Sequence, residues 1–327
     1  MDILLIILGV LVLIQIGILL LLFLSFNHRG DNDKNLKYFT HEDFDDLDAT
    51  LIEFPSRKHT LRGYIYRPKG ETPHRLMVFN MGIGAGHHAY MHVIRAFVLH
   101  DYTVVAYDYT GCQMSDGKRM GGLPQALLDF QAVMEYIATR DELKSLPIDV
   151  VGHSWGGYVT GIAPRLAKNI RKVISMSGFN RVPEVIASNR PMLKVMGPFV
   201  DFANYLMFGP VGVYDIASSI RDTNIPMLFI AGSRDPFIDT NKQINKFQLL
   251  AKNKPLIEFH IEGKKNHNPY LSEAGEAYFI EVLKKKRVFD KKRESPESQE
   301  FYKAINYDLI TENDENVFKV MFDFLDK

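Results

Sequence analysis

Hydrophobic positions divide the chain into two unlike parts. Residues 3–26 are almost uninterrupted Leu, Ile, Val and Phe, broken by Gly9, Gln15, Gly17 and Ser25. A helix of this length crosses a hydrocarbon core of roughly 30 Å. The stretch lacks the basic flank and the small-residue cleavage site of a secretory signal. We therefore expect a retained, single transmembrane helix.

From residue 49 onward, short apolar runs alternate with longer amphipathic stretches. This alternation predicts an α/β domain over 49–327, with a mostly parallel central sheet and helices on both faces. Residues 27–48 are polar and acidic, and we predict that they form a linker. The apolar runs expected to be strands are 76–79, 103–107, 148–151, 172–176, 227–231 and 256–261.

Charge after the predicted membrane helix gives an indication of orientation. Arg29, Lys34 and Lys37 follow it, and the positive-inside rule then favours a cytoplasmic domain. Two aspartates share that flank, and a large domain can be translocated regardless of its charge. The single cysteine, Cys112, excludes an intrachain disulfide and does not distinguish a reducing from an oxidising compartment.

Composition narrows the functional classes. The chain has 39 basic and 39 acidic residues, so its formal net charge is zero and it lacks the basic surface of a nucleic-acid-binding protein. It has no P-loop and no glycine motif in a dinucleotide-binding context. We therefore expect neither a nucleic-acid partner nor a cofactor.

A serine flanked by glycines lies between a predicted strand and a predicted helix. The pentapeptide G-H-S-W-G occupies 152–156, after the strand 148–151 and before a helix at 158–167. This context predicts a sharp turn that exposes the Ser154 hydroxyl near a helix N-terminus. A serine acts as a nucleophile at neutral pH when a base assists it and an acid orients that base.

A suitable acid and base occur later in the chain, each directly after a strand. Asp235 follows the strand 227–231, and His267 follows the strand 256–261. We predict that they form a catalytic triad with Ser154, in the chain order that α/β-hydrolases use. Asp239 is an alternative acid. His260 is a competing histidine, but it lies within a strand pattern and is expected to pack against the sheet.

The whole pattern resembles the α/β-hydrolase superfamily, and within it the serine aminopeptidase, monoacylglycerol lipase and haloperoxidase-like branch. N-M-G-I-G at 80–84 resembles the H-G-x-G oxyanion loop of this branch, which implies backbone N–H donors at Ile83 and Trp155. D-Y-T-G-C-Q-M-S at 108–115 resembles its D-x-R-G-x-G-x-S turn. The chain departs from these motifs at Met81, Thr110 and Gln113.

Two stretches interrupt the resemblance. Residues 181–222 are rich in Met, Phe, Tyr and Pro and stand where the family carries a cap over the active site. An adaptable apolar surface there would suit an acyl chain, and ordinary packing against the sheet is the alternative.

Residues 284–312 are highly charged and predict a surface helix or loop. Seven basic residues between 284 and 293 indicate either contact with anionic lipids or a solvated charged surface.

Three histidines near the predicted oxyanion loop raise the question of a metal. His88 and His92 have the spacing of ligands on one helix face, and His87 lies beside them. Zinc sites of this spacing normally bring a third ligand and often a glutamate beside the first histidine. Neither is evident, so we expect no metal.

Together these features predict a membrane-anchored serine hydrolase that acts by acyl transfer on an ester, lipid-like if the cap is apolar. A serine aminopeptidase, a thioesterase or a haloperoxidase-like enzyme would use the same triad. The three motif departures leave a further alternative, a membrane-tethered binding protein on a degenerate hydrolase fold.

Overall fold

Eight strands form one sheet in the computed structural model, which describes residues 2–84, 86–188, 191–292 and 295–327. The strands are β1 (Leu47–Ser56), β2 (His59–Pro68), β3 (Arg75–Asn80), β4 (Tyr102–Tyr107), β5 (Ile148–His153), β6 (Ile170–Met176), β7 (Met227–Gly232) and β8 (Ile257–Glu262). The helices are α1 (Asp2–Ser25), α2 (Met91–Val98), α3 (Gln125–Ala138), α4 (Trp155–Leu166), α5 (Val182–Ile186), α6 (Gly197–Phe208), α7 (Ile216–Asp222), α8 (Thr240–Leu250), α9 (Glu273–Phe289), α10 (Pro296–Lys303), α11 (Tyr307–Ile310) and α12 (Glu315–Asp326).

The strand order is β1-β2-β4-β3-β5-β6-β7-β8. β1 and β2 are antiparallel to each other, β2 is antiparallel to β4, and all remaining neighbours are parallel. The predicted mostly parallel α/β-hydrolase fold is confirmed. Because parallel strands end at the same edge of a sheet, the loops after β3, β5, β7 and β8 meet there.

The inner strands are almost entirely buried. Every residue of β4, β5 and β7 is buried, as expected for strands covered by helices on both faces. The edge strand β8 is half-exposed. The six apolar runs therefore lie in strands as predicted, with bounds that differ by one or two residues. Helix α4 begins at Trp155, earlier than expected, because the turn at Ser154 leads directly into it.

Helix α1 has 24 residues, a length of about 36 Å, and is long and apolar enough to cross a membrane. Its first half is exposed, whereas its C-terminal part packs against the domain. Leu22 is buried in the main hydrophobic core. The Gln15 side chain donates a hydrogen bond to the Phe199 carbonyl of α6, at 3.1 Å.

Residues 26–39, here called the juxtamembrane segment, lie against the domain. The Arg29 guanidinium donates to the carbonyl oxygens of Gly117 and Gln113, at 2.5 and 2.6 Å. The Gly30 N–H donates to the Gly111 carbonyl at 2.9 Å. A Cβ on Gly30 would lie 2.8 Å from the Cys112 sulfur, so a larger residue would push the segment outward. This part of the predicted linker is therefore ordered by contacts.

Thr110 and Gln113, two of the three residues that depart from the family motifs, form hydrogen bonds within the domain. The Thr110 hydroxyl donates to Asp129 at 2.9 Å, and its backbone N–H donates to the same buried carboxylate at 2.7 Å. Burial raises the pKa of Asp129, although its hydrogen bonds oppose this. Gln113 has a left-handed backbone (φ 39°), and its side chain donates to the Gly30 carbonyl at 3.3 Å. Gln113 thus helps to hold the juxtamembrane segment.

The two stretches that interrupt the family pattern are largely helical. The first contains α5, α6 and α7, and three large side chains of α6 are exposed: Phe202, Tyr205 and Leu206. The second begins inside α9 and continues through α10 and α11. Among its basic residues, Lys286 forms ion pairs with Asp33 and Asp290 at 2.6 and 2.7 Å. Arg293 lies outside the described residues.

Candidate active site

Ser154 occupies a strained turn between β5 and α4. Its backbone has φ 58° and ψ −114°, a region that non-glycine residues rarely adopt and that costs about 1–3 kcal/mol. The Ser154 N–H donates to the Met176 carbonyl at 2.8 Å, which ties the turn to β6. A Cβ on Gly152 would lie 2.5 Å from the Gly156 carbonyl oxygen. The flanking glycines thus permit the turn that presents the hydroxyl.

The structure brings Ser154, His267 and Asp235 together in one hydrogen-bonded row. His267 Nε2 lies 2.8 Å from Ser154 Oγ, and His267 Nδ1 lies 2.6 Å from Asp235 Oδ2. The other Asp235 oxygen accepts from the N–H groups of Phe237 and Ile238, at 2.8 and 3.1 Å. The carboxylate, whose side chain is 1% exposed, is therefore fixed by three donors. This arrangement can activate a serine hydroxyl.

The rival residues are engaged elsewhere. The Asp239 side chain caps α8 by accepting from the Lys242 N–H at 3.2 Å. His260 lies in β8, and its Nε2 is 2.6 Å from Glu262. Asp235 and His267 are therefore the acid and histidine that meet Ser154.

Ile83 and Trp155 both line the cavity that contains Ser154. Trp155 is the first residue of α4, so its N–H has no acceptor within the helix. Its indole donates to the Leu123 carbonyl at 2.8 Å, which holds the side chain away from the serine. Met81, which stands in place of the family histidine, is fully buried.

A buried tyrosine and histidine connect the loops around the site, and sequence reasoning missed their positioning role. The Gly82 N–H donates to the Tyr90 hydroxyl at 3.1 Å, and that hydroxyl donates to His153 Nδ1 at 3.0 Å. His153 Nε2–H donates to the His267 carbonyl at 2.8 Å. His153 thus links the loop after β3 to the loop after β8. Burial, followed by the charge of His267, lowers the pKa of His153 to about 3.

Glu276 in the first turn of α9 holds the two residues that flank His267. Its carboxylate accepts from the backbone N–H groups of Asn266 and Asn268, both at 2.8 Å. Glu276 is buried, with 2% of its surface exposed. An acidic residue in a first helical turn is common, so the sequence carried no specific signal for this role.

The three neighbouring histidines, His87, His88 and His92, have different surroundings. His87 Nδ1 lies 2.9 Å from Asp108, and its Nε2 lies 3.0 Å from the Tyr66 hydroxyl, both within the core. His88 and His92 line the cavity. Burial lowers the pKa of both, that of His88 to about 4. Within the described residues there is no group of three or more side chains that could hold a metal ion.

The cavity around Ser154 has a volume of about 1060 Å³, at the upper end of the usual range for small-molecule sites. Its lining is mainly apolar. Among the described residues, Val185 is the only one of the 181–222 stretch to line it. The juxtamembrane segment, α2, α9 and α11 together supply about half of the apolar lining residues. The cap therefore contributes less to this cavity than the sequence suggested.

Comparisons with known proteins agree with this geometry. Residues 71–207 match the family model described as serine aminopeptidase, S33. An esterase from Pyrococcus furiosus is 18% identical, with a TM-score of 0.58, covering 84% of this chain and 97% of its own. The Pyrococcus horikoshii acylaminoacyl peptidase is 15% identical, with a TM-score of 0.53, covering 69% of this chain and 38% of its own.

An acetyl xylan esterase from Thermoanaerobacterium is 17% identical, with a TM-score of 0.51, covering 72% of this chain and 82% of its own. A sequence comparison with curated proteins gives no match. At these identities the solved structures establish the fold, while the family match covers the stretch that includes Ser154. The chain has the α/β-hydrolase fold, and its residues 71–207 are similar to the serine aminopeptidase family.

Proposed function

We propose that this protein is a membrane-anchored serine hydrolase that cleaves an ester through Ser154, His267 and Asp235. The observation that carries the proposal is the row of two short hydrogen bonds, 2.8 Å from Ser154 to His267 and 2.6 Å from His267 to Asp235. It supports catalysis over the binding-protein alternative, because a degenerate site has no need to keep the base within reach of the nucleophile.

The reaction follows from the positions of these groups. Ser154 Oγ attacks the ester carbonyl while His267 Nε2 takes the hydroxyl proton, and Asp235 stabilises the imidazolium through Nδ1–H. The N–H groups of Ile83 and Trp155 stabilise the oxyanion. The intermediate collapses as His267 returns the proton to the leaving alcohol. Water, activated by the same histidine, then attacks the acyl-enzyme, and the released products are the acid and free Ser154.

Anchoring by α1 is supported by its contacts as well as by its length. A cleaved signal sequence has no reason to pack into the mature domain, yet Leu22 is buried and Gln15 bonds to α6. We propose that α1 is retained and spans the membrane once. From the basic residues that follow it, we propose that the domain lies on the cytoplasmic side. Protease protection in sealed vesicles tests this, and a domain protected inside right-side-out vesicles but digested in inverted ones is the expected result.

The cavity favours an ester over a peptide with a free amino terminus. An aminopeptidase needs an unpaired carboxylate to bind the substrate ammonium group. Among the described lining residues the carboxylates are Asp31 and Asp33. Asp31 pairs with Arg29 at 3.0 Å, and Asp33 pairs with Lys286 at 2.6 Å. An apolar acyl group fits the remaining surface.

Fluorophosphonate labelling of the full chain in detergent tests the proposal. We expect the wild-type protein to be labelled and Ser154→Ala to remain folded but unlabelled, with esterase activity lower by several orders of magnitude. Circular dichroism of both proteins is the folding control. A folded wild-type protein that neither reacts with the probe nor hydrolyses p-nitrophenyl esters would favour the binding-protein alternative.

A further inference from the structure

The cavity extends from Ser154 into a space bounded by parts of the chain outside the matched family region. The family match ends at residue 207 and begins at 71. The far part of the cavity lies between the juxtamembrane segment, α9 and α11. We call this space the distal chamber, and its apolar lining includes Leu36, Phe39, Phe279, Leu283, Tyr307 and Ile310.

Specific contacts hold the walls of the distal chamber together. Lys286 of α9 forms an ion pair with Asp33 of the juxtamembrane segment at 2.6 Å, and both side chains are less than a fifth exposed. Leu36 packs against a small hydrophobic cluster that includes Val282 and Tyr302. The Asn306 N–H before α11 donates to the Tyr278 hydroxyl of α9 at 3.0 Å. The chamber is therefore a built feature of the fold.

The chamber suits an uncharged ligand. Each methylene group that a ligand buries against this aliphatic and aromatic lining increases its affinity about fourfold, or ~0.8 kcal/mol. Of the lysines that also line the cavity, Lys37 and Lys286 are paired with Asp43 and Asp33, and Lys34 is exposed to solvent. Burial lowers the pKa of both His88 and His92, which also line the cavity, and so disfavours their charged forms. Phe26, just after α1, also lines the cavity.

We propose that the distal chamber binds the apolar chain of the ester substrate, so that the juxtamembrane segment and α9 set chain-length specificity. The inference rests on the proposed function and deepens it. It assigns the specificity of this enzyme to Leu36 and Leu283 rather than to the 181–222 stretch. The ester carbonyl lies at Ser154, and the chain runs from there into the distal chamber.

The test compares tryptophan substitutions on different walls of the cavity, in the full chain in detergent, against p-nitrophenyl esters from acetate to palmitate. Leu36→Trp and Leu283→Trp fill the chamber. Val185→Trp fills the cap side. Leu249→Trp, on the exposed face of α8, is the matched control. We expect each chamber variant to lower the palmitate-to-acetate ratio of kcat/KM by at least about tenfold, and the Leu249 control to keep the wild-type ratio.

Two results would overturn the inference. A fall in the ratio for Val185→Trp with no fall for the chamber variants would place the chain under the cap. An unchanged ratio in all variants would leave the chamber without a role in specificity. Fluorophosphonate labelling of each protein separates these failures from failure of the proposed function. If the wild type is labelled and the ratios are unchanged, the chamber proposal fails and the proposed function stands. If the folded wild type is not labelled, both proposals fail.

Discussion

Some side chains around Ser154 fix the positions of loops through hydrogen bonds to the backbone, as His153 and Glu276 do. Ser154, Asp235 and His267 were identifiable from sequence because each follows a strand, and parallel strands end together. His153 and Glu276 were not, because their partners are backbone groups of distant loops. Any residue type can supply the backbone partner of such a hydrogen bond, so the sequence does not indicate where that partner lies. The meeting of Ser154, His267 and Asp235 was therefore predictable, and the side chains that hold their loops were not.

Asp235 and Asp239 form a matched pair for testing which carboxylate orients His267. We expect Asp235→Asn to lower kcat by roughly 10³–10⁴-fold, because the amide favours the wrong imidazole tautomer. Asp239→Ala should keep the wild-type kcat and cost about 1 kcal/mol of stability, because it removes the cap of α8. Ester kinetics and urea denaturation measure the two effects. The reverse pattern of activities would make Asp239 the catalytic acid.

The buried neutral His153 predicts loss of stability in acid. Its pKa is about 3 in the folded protein, against an ordinary value of 6.5, so below pH 6.5 the unfolded chain binds a proton that the folded chain does not. The free energy of unfolding should therefore fall as pH drops from about 6.5 toward 3, and His88 should add to the fall down to about pH 4.

Urea denaturation at a series of pH values checks this, with the fluorescence of Trp155, the single tryptophan, as the probe. His153→Gln should reduce the pH dependence of the unfolding free energy by up to about 1.4 kcal/mol per pH unit, the contribution of one proton. A variant with the wild-type slope would mean that His153 is protonated normally in the folded protein.

Among the elements, the juxtamembrane segment differs most from its expected character. Its sequence is polar and has no strand or helix period, which predicts a linker. Its order comes from Arg29, Gly30 and Asn32, which bond to loops distant in sequence. Such contacts depend on the tertiary arrangement of the 111–117 turn. By contrast, strand periodicity depends on local pattern, and the strands were predicted well.

Arg29→Lys tests whether the segment is held by the guanidinium fork. A lysine keeps the charge but cannot reach several carbonyl oxygens at once. We expect a stability loss of about 1–2 kcal/mol and faster proteolytic cleavage within residues 27–46. Lys34→Ala, at an exposed position in the same segment, is the control and should be cleaved at the wild-type rate. Equal cleavage of both variants would show that Arg29 does not hold the segment.

Taken as a whole, the molecule is an α/β-hydrolase-fold domain in which segments before and after the matched region meet beside the candidate active site. The domain was predictable because its pattern of strands and motifs resembles a known family. The meeting of the two segments was not, because one precedes the matched region and the other follows it. Their contact, the Lys286–Asp33 ion pair, joins residues far apart in sequence.

Two truncations separate the roles of α1 and the juxtamembrane segment. A chain beginning at residue 27 keeps the Asn32 side chain, which accepts from the Gly86 N–H at 2.9 Å beside the oxyanion loop. A chain beginning at residue 40 loses it. We expect the second to react with fluorophosphonate at least about tenfold more slowly than the first, because small displacements of catalytic groups are costly. Equal labelling rates in two folded proteins would contradict this.

The bond between Gln15 and Phe199 has a consequence for how the enzyme responds to its surroundings. Gln15 lies ten residues before the end of α1, a distance of about 15 Å along the helix. When α1 spans a bilayer, α6 is carried to that depth, and its exposed Phe202, Tyr205 and Leu206 meet acyl tails. Membrane thickness then sets how deeply the cap is immersed. On the proposed anchoring, a change in membrane thickness would therefore change how much of α6 contacts lipid, without any ligand.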